Sequence, residues 1–255
     1  MITNQVFLLL TNNICPTTIS LFTELSACTE GLGKSKFLYH HQPTKDLPPF
    51  LNQANSFIFT DDSLCKLGYF LLDKKPMPVN GHFPLLDFFL NNPKYDHYWI
   101  IEDDVRFTGS WTYFFEACSE LEHADLLTSQ IRHFHEEPGW NWWSSMKHPT
   151  YDVPYEKRLK SFNPIYRVSN KGLRFLCDML AMQWKGHHEV LIATLFHLYD
   201  LQLLDFGGNG HFVKPGFENR FYTNEYAECT VRYRPVMQEA GSLQNKLYHP
   251  VKFST

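Results

Sequence analysis

Continuous apolar runs alternate with segments of helical spacing along the first half of the chain. The run VFLLLTNN at residues 6–13 is typical of a strand that is buried on both faces, and it ends in polar residues. Pro16 then begins a segment of helical spacing that stops before Gly31. Proline is favoured in the first turn of a helix and glycine just beyond its end, so this segment is predicted to be helical.

The same pattern continues to the end of the chain. We predict further strands at 36–41, 56–62, 97–104, 124–131, 161–169 and 201–208, and further helices at 81–92, 110–123, 170–182 and 187–200. Alternating strands and helices predict an α/β fold with a mostly parallel, Rossmann-like central sheet and helices on both faces. The tail from residue 209 is predicted to be rich in loops.

Polar residues follow three of the predicted strands, at the edge where ligands bind in such sheets. They are Asn12 with Asn13, Asp61 with Asp62, and the triplet 102–104. We take Asn12, Asp61 and Asp62 as candidate ligand contacts at this edge.

The triplet EDD at 102–104 is the strongest candidate for chemistry. Side chains alternate along a strand, so Glu102 and Asp104 share one side while Asp103 faces the other. One or two carboxylates at a strand end are a usual arrangement for Mg²⁺ or Mn²⁺. The alternative is a solvated turn that precedes the helix near residue 110. The second acidic strand end at 61–62 favours the metal site.

Residues 132–161 have no sustained period and are rich in Trp, His and Pro. A long irregular stretch in a compact domain is usually functional or disordered, and its tryptophans argue against disorder. Trp140, Trp142 and Trp143 either stack on a sugar or form a hydrophobic lid. The sequence HFHEE at 133–137 is weak as a zinc motif, because no second spaced ligand pair accompanies it.

Composition excludes several classes of protein. The net charge of −4 and the dispersed basic residues argue against nucleic-acid binding. Six scattered cysteines without a C-x-x-C pair indicate free thiols. The start of the chain has no basic region before its short apolar run, and no later stretch approaches 18 apolar residues. These features predict a cytoplasmic, soluble protein without a signal peptide or transmembrane segment.

The segment YWIIEDDVRFTGSWTYFFEA resembles the D-x-D motif region of GT-A fold glycosyltransferases. It is most similar to the EDD variant of N-acetylglucosaminyltransferase I-like enzymes. The resemblance implies that Asp104 binds a metal bridging a nucleotide diphosphate, with Glu102 and Asp103 near the ribose and sugar. This sequence has E-D-D in place of D-x-D, which leaves open which acids contact the metal.

Three later segments resemble GT-A organisation in the same order. FNPIYRVSNKG at 162–172 resembles a strand and loop near the donor sugar, which implies a donor contact for Arg167. GHHEVLIATL at 186–195 resembles the stretch that supplies the catalytic base of inverting members. That implies Glu189 as base. The adjacent His187 and His188 are either groups that orient the substrate, with His188 the candidate contact, or surface residues. KLYHPVK at 246–252 resembles the segment with a metal-binding histidine, here His249.

Each of these residues has an alternative interpretation from the sequence alone. An acid such as Glu189 is favoured at a helix start by the helix dipole without any catalytic role. His211, in the sequence GGNGHFVKPG, is a rival of His249 as metal ligand. The overall pattern also resembles a poorly characterised group of glycosyltransferases that carry similar EDDV, HHE and LYHP segments, and the joint order of these segments favours the functional interpretation.

The resemblance implies one GT-A-like catalytic domain over residues 1–255. Residues 1–131 would bind the nucleotide sugar, and residues 132–255 would bind the acceptor and catalyse transfer. The predicted function is a glycosyltransferase of the hexosyl or N-acetylhexosaminyl class, dependent on Mn²⁺ or Mg²⁺. It would use a UDP-sugar donor and a glycan or other hydroxyl acceptor, with inversion at C1. The alternatives are a metal-dependent nucleotidyl or phosphoryl transferase and a non-catalytic glycan-binding protein.

Overall fold

The computed structural model describes residues 4–224 and 229–252. The strands are β1 (Gln5–Thr11), β2 (Gly33–His40), β3 (Ser56–Phe59), β4 (His97–Glu102), β5 (Arg106–Phe107), β6 (Leu126–His133), β7 (Leu159–Ser169), β8 (Leu203–Asp205) and β9 (Leu247–Tyr248). The α-helices are α1 (Pro16–Cys28), α2 (Asp61–Cys65), α3 (Phe83–Asn91), α4 (Trp111–Ser119), α5 (Asn170–Ala181) and α6 (His188–Leu198). Short 3-10 helices lie at Phe134–Glu136, Trp143–Ser145 and Tyr155–Lys157.

Seven of the strands in the described part of the chain form one sheet in the order β3-β2-β1-β4-β7-β6-β8. The pairs β1–β2, β1–β4, β2–β3 and β6–β8 are parallel. Strand β7 is antiparallel to both of its neighbours, β4 and β6. The predicted α/β fold with a mostly parallel, Rossmann-like sheet is therefore confirmed.

Helices cover both faces of this sheet, as the sequence predicts. Along β1, Val6 and Leu8 point into one buried cluster together with α3, α5 and α6. Phe7 and Leu9 point into a second cluster together with α1 and α4. The uninterrupted apolar run of β1 is thus explained, because successive side chains of a strand enter opposite layers.

The prediction of a strand over 56–62 was wrong at its end. Strand β3 stops at Phe59, and Asp61 and Asp62 form the first turn of helix α2. The Thr60 side chain accepts a hydrogen bond from the Ser63 N–H, and the Ser63 hydroxyl oxygen accepts one from the Thr60 N–H. This capping box explains the two acids, which are favoured in a first helical turn.

A second sheet of two short strands, absent from the predictions, joins the C-terminal segment to the end of β4. Strand β5 pairs with β9 in antiparallel register. Beyond β9, the Val251 N–H donates to the Asp104 carbonyl oxygen at 2.8 Å. These contacts place residue 249 directly beside the acidic triplet, although about 145 residues separate them in sequence.

The six cysteines are free thiols, as predicted. No helix in the described ranges combines the length and the apolar character needed to cross a membrane.

We expect the variant Tyr222→Phe to lower the free energy of unfolding by about 1–3 kcal/mol, because it leaves buried polar atoms unpaired. The Tyr222 hydroxyl donates to Asp205 Oδ2 at 2.6 Å and accepts from the Gln130 N–H at 2.8 Å. Tyr222 and Asp205 are fully buried. Urea denaturation measures the change. The control Tyr151→Phe, at a tyrosine that is 67% exposed, is expected to change stability by less than about 0.5 kcal/mol.

Candidate active site and metal centre

A cavity of about 810 Å³ lies where β4 ends and β7 begins. Its walls come from the end of β4, the beginning of β7, the first turn of α6, the irregular segment after β6 and the C-terminal segment. Polar and aromatic side chains from all five parts of the chain therefore converge on one space. Such a convergence in a large cleft is the usual setting of a binding or catalytic site.

Two carboxylates and one imidazole meet at one end of this cavity. His249 Nε2 lies 3.2 Å from Glu102 Oε2 and 3.3 Å from Asp104 Oδ1. One ligand atom from each of the three residues lies within 4.8 Å of the others. The Asp104 carboxylate also contacts the Lys252 ammonium at 3.4 Å.

A backbone carbonyl fixes the orientation of the His249 ring. His249 Nδ1 lies 2.9 Å from the Arg232 carbonyl oxygen. A carbonyl oxygen only accepts, so Nδ1 carries the hydrogen and donates it. Nε2 therefore faces the two carboxylates. A histidine that ligates a metal is commonly held in this way by a hydrogen bond from its other ring nitrogen.

The charges of this centre are strongly coupled. Burial lowers the pKa of His249, but the close approach of the Asp104 and Glu102 carboxylates outweighs burial and raises this pKa to about 9. Burial raises the pKa of Asp104, yet the nearby His249 ring and the charge of Lys252 prevail and lower it. In the absence of another cation, a proton on His249 compensates part of the carboxylate charge.

The donor atoms fit a small divalent cation. Asp104 Oδ1 is buried and, within the described residues, makes no well-aligned hydrogen bond, although His249 Nε2 is near. Glu102, Asp104 and His249 form the one such group of three among the described residues. Two carboxylates with an imidazole suit Mn²⁺, and the carboxylates suit Mg²⁺ with water completing the shell.

Asp103 faces away from the cation site, as the alternation of side chains predicts. The Thr11 hydroxyl donates to Asp103 Oδ2, which joins the end of β1 to the turn after β4. Arg106 Nη1 donates to the Asp103 carbonyl oxygen at 2.8 Å. Asp103 therefore holds the acidic turn in shape, and the cavity wall does not include it.

Glu189 lies in the same cavity, in the first turn of α6, and its side chain is almost fully buried. The Asn163 N–H donates to Glu189 Oε1 at 3.3 Å. Burial raises the pKa of Glu189 to about 8, although the Lys160 charge and the Asn163 hydrogen bond lower it. A buried carboxyl group with a raised pKa in a cleft is a candidate for proton transfer.

The structure brings two of the three tryptophans to the cavity. Trp142 is 39% exposed and stacks on His187 with ring centroids 4.6 Å apart, and Trp140 lines the same wall. Trp143 is instead buried in the core, where its indole N–H donates to the Glu137 carbonyl oxygen. The sequence does not distinguish the three, because the turn that separates them has no regular period.

His188 is part of the cavity wall and lies close to the Gly81 backbone. A Cβ atom at Gly81 would lie 2.8 Å from His188 Nδ1, so this approach requires glycine. Burial, with the nearby charges of His187 and His82, lowers the pKa of His188 well below its ordinary value. The ring is therefore neutral and acts as a packing or hydrogen-bonding group.

Arg167 is not brought to the cavity. Its side chain is 1% exposed, and its guanidinium donates to the carbonyl oxygens of Cys118 and Leu121 at the end of α4. It also lies over the Trp99 ring. The guanidinium therefore caps the end of a helix and is not available for the donor contact that the sequence implies.

The residues predicted at the other strand ends also lie outside the cavity wall. Asp61 Oδ1 contacts His40 Nε2 at 3.0 Å, and Asp62 is its neighbour in α2. Asn12 is exposed after β1. His211 is not near the metal centre but beside His133, with ring centroids 6.3 Å apart. Of the two rival histidines, the structure places His249 at the acids.

Charged residues that the sequence analysis missed complete the cavity. Lys160 Nζ contacts Glu137 Oε2 at 2.6 Å and lies over the Trp140 ring. Lys252 and Arg232 line the wall beside Asp104 and His249, and Arg234 also lines the cavity. The sequence RYRP at 232–235 is a local basic signal for that wall. Lys160 carries no such signal, because it lies in the first residues of a buried strand.

Comparisons with known proteins do not identify a family. No family model and no curated protein matches the chain. A matching solved structure is that of a protein from Bacillus anthracis assigned as a glucose-1-phosphate thymidylyltransferase, in complex with a sucrose. The two chains are 10% identical, the match covers 79% of this chain and 85% of that chain, and the TM-score is 0.44. A likeness of this degree carries no argument about function.

Proposed function

We propose that the protein is a metal-dependent glycosyltransferase that moves a sugar from a nucleotide-diphosphate sugar to an acceptor hydroxyl. One observation carries the proposal. The trio of Glu102, Asp104 and His249 shares a single cavity with the buried carboxyl group of Glu189. A cation-binding end and a candidate base are the two groups that glycosyl transfer requires, and the resemblance of the sequence to GT-A enzymes agrees with both.

The metal end of the cavity would hold the donor. Glu102, Asp104 and His249 would bind Mn²⁺ or Mg²⁺, which when bound neutralises the charge that develops on the departing diphosphate. Arg232 and Lys252 add positive charge to the same wall. We take a UDP-sugar as the first donor to test, because the resembling enzymes use nucleotide sugars.

Glu189 would receive the proton of the acceptor hydroxyl. The pKa of a sugar hydroxyl lies far above neutrality, so attack on C1 needs a base within hydrogen-bond reach. The raised pKa of Glu189, about 8, makes its carboxylate a stronger base than an ordinary glutamate. The Asn163 N–H holds one of its oxygens. A single base opposite the leaving diphosphate favours inversion at C1.

Trp140 and Trp142 would form the acceptor platform. Flat aromatic rings offer apolar faces to the C–H groups of a sugar ring. Lys160 and Glu137 form an ion pair beside them and supply polar groups for hydroxyls.

Nucleotidyl transfer is the second candidate, since it would use the same cation-binding acids. The turn after β1, residues 12–15, contains no glycine, lysine or arginine. A glycine-rich, basic loop at that place would be expected to cradle a triphosphate. The composition of this turn favours glycosyl transfer.

A thermal-shift screen of UDP-, GDP- and CMP-sugars, with and without Mn²⁺, tests the proposal. We expect one nucleotide class to raise the melting temperature only in the presence of Mn²⁺. A ligand at a hundredfold excess over its Kd stabilises by about 2.7 kcal/mol, which such a screen detects. Hydrolysis or transfer from a UDP- or GDP-sugar should release the nucleoside diphosphate. Consumption of a nucleoside triphosphate with release of pyrophosphate would instead support nucleotidyl transfer.

We expect Trp142→Ala to raise the KM for the acceptor about fivefold or more, since loss of an aromatic contact costs about 1 kcal/mol or more. The KM for the donor should not change, because Trp142 lies on the Glu189 side of the cavity. Initial rates at varied acceptor and donor concentrations measure both constants. The buried Trp143 offers a contrast. Trp143→Phe is expected to lower stability and leave the acceptor KM within about twofold of the wild-type value.

A further inference from the structure

Four histidines from three separate parts of the chain form a cluster outside the cavity wall. The histidine cluster consists of His133 at the end of β6, His135 in the following 3-10 helix, His197 in the last turn of α6, and His211 after β8. The ring of His133 is central. Its centroid lies 5.4 Å from that of His135, 6.0 Å from that of His197 and 6.3 Å from that of His211.

The backbone beneath this cluster is well anchored. The His133 N–H donates to Glu136 Oε2 at 2.7 Å, which fixes the start of the 3-10 helix. The Phe212 ring packs against His133 at 5.7 Å, and the Phe212 carbonyl oxygen accepts from the Asp205 N–H. The loop with His211 is thereby held against the edge of the main sheet. The four rings are thus gathered by the tertiary fold.

The rings are accessible, and the central ring of His133 favours the neutral form. His135, His197 and His211 are exposed, and His133 is half-buried. Burial lowers the pKa of His133, the Glu136 charge opposes this, and the other three histidines lower it further. Neutral imidazoles present free nitrogen lone pairs, which are ligands for a transition metal.

We infer that the histidine cluster is a second metal site, specific for a borderline divalent transition metal such as Zn²⁺, with His133 as its central ligand. Imidazole suits Zn²⁺, Cu²⁺ and Ni²⁺, whereas Mg²⁺ and Ca²⁺ prefer oxygen ligands. Ring centroids 5.4 to 6.3 Å apart match roughly the spacing of imidazoles around one zinc ion, given Zn–N distances of about 2.0–2.1 Å.

Binding requires rotation of the exposed side chains. Among the described residues, the trio at 102, 104 and 249 alone has three ligand atoms already within 4.8 Å. Exposed histidine side chains change rotamer at little cost, and three of the four are exposed. His133 and His135 belong to the sequence HFHEE, which has no second ligand pair nearby in the chain. The fold places His197 and His211 beside them as that second pair.

A metal at this place would brace two walls of the cavity. His197 lies in the last turn of α6, and Glu189 lies in the first turn of the same helix. The 3-10 helix that begins beyond His133 leads directly to Glu137, which lines the cavity. The site would therefore tie the helix of the candidate base to the segment of the acceptor platform. The metal site itself does not depend on the proposed function.

Titration of the full chain with ZnCl₂ alone, in the absence of nucleotide sugar, tests the inference. The background variant His249→Ala removes zinc binding at the first metal centre. In this background we expect calorimetry to detect one equivalent of bound Zn²⁺. His211→Ala, at an exposed ring, and His133→Ala should each weaken this binding at least tenfold. The control His123→Ala, at an exposed histidine in the turn between α4 and β6, should bind as before.

Spectra of the histidine ring nitrogens identify the ligands. Zn²⁺ should shift the ring resonances of His133 and of at least two other cluster members, and leave that of His123 unchanged. Circular dichroism checks that each variant folds. If His133→Ala does not fold, the zinc titration of His211→Ala alone tests the inference. Equal zinc stoichiometry with and without His211 and His133 would overturn the inference. So would ring resonances that respond to pH alone and not to zinc.

Discussion

Asp104→Asn is expected to abolish Mn²⁺-dependent binding of the nucleotide sugar and to lower turnover at least a thousandfold. The substitution keeps the shape of the side chain but removes the charge from the more buried of the two carboxylates that face His249. A metal ion supplies several kcal/mol of charge stabilisation to a departing diphosphate, and about 1.4 kcal/mol corresponds to a tenfold rate change. Calorimetry with donor and Mn²⁺, together with initial rates, measures both losses.

The chain offers a matched control for this variant at the other end of the same strand. Asp96 precedes β4, is exposed, and accepts from the Asn4 N–H at 2.9 Å. Asp96→Asn removes the same charge without touching the cavity and should bind donor as the wild type does. Unchanged donor binding by Asp104→Asn in the presence of Mn²⁺ would contradict the assignment of the metal centre.

Glu189→Gln is expected to lower kcat by about a hundredfold to ten-thousandfold, the usual contribution of a general base. Glutamine keeps the size of the side chain and can still accept from the Asn163 N–H, but it cannot take a proton from the acceptor. Binding of donor and Mn²⁺ should be retained, because the direct partners of the Glu189 carboxyl group are Asn163 and His187, and Glu102 and His249 act on it only through their charges. Single-turnover rates measured beside calorimetry separate the two effects.

The same substitution should stabilise the fold at alkaline pH. The pKa of Glu189 is raised from 4.5 to about 8, so between these values the folded chain holds a proton that the unfolded chain has lost. The free energy of unfolding of the wild type therefore falls as pH rises through this window. Glutamine does not ionise, so this fall in the free energy of unfolding is absent from the variant. We expect the variant to match the wild type near pH 4.5 and to exceed it by more than about 1 kcal/mol at pH 8.

Two controls make this result specific. Asp205 has a pKa raised to about 7, but it titrates in both proteins and cancels in their difference. Glu116→Gln, at an exposed acid of α4, should alter neither kcat nor the pH dependence of stability. A Glu189→Gln variant with the kcat of the wild type would contradict the assignment of Glu189 as base. A variant with no gain in stability at pH 8 would contradict a buried, protonated carboxyl group at this position.

The sequence predicts the parts of the site that depend on strand periodicity. The alternation of side chains separates Asp103 from Glu102 and Asp104, and the structure keeps that separation although Asp103 and Asp104 lie in a turn beyond β4. The start of α6 is also predictable, because its apolar run begins directly after HHE. Periodicity and capping are local properties of the chain, so one sequence is sufficient to read them.

Other features depend on contacts between distant segments. The sequence does not indicate that Arg167 caps the end of α4, since both partners are ordinary members of regular elements. Nor does it distinguish the buried Trp143 from the exposed Trp142, one position away. The two-residue strands β5 and β9 are too short to have a period, yet their pairing brings His249 to the acids. Only the tertiary fold decides these cases.

The reversed direction of β7 has a consequence for how such a protein can diversify. Because β7 runs against its neighbours, its first residues, and not its last, lie at the edge of the sheet where the other strands end. Lys160 and Asn163 reach the cavity from there, on the side of Glu189 and the tryptophans. In the proposed glycosyltransferase, changes within residues 159–164 would therefore alter the choice of acceptor while the acidic turn after β4 stays intact. Acceptor selectivity and metal binding would then be encoded in separate segments and would be free to evolve separately.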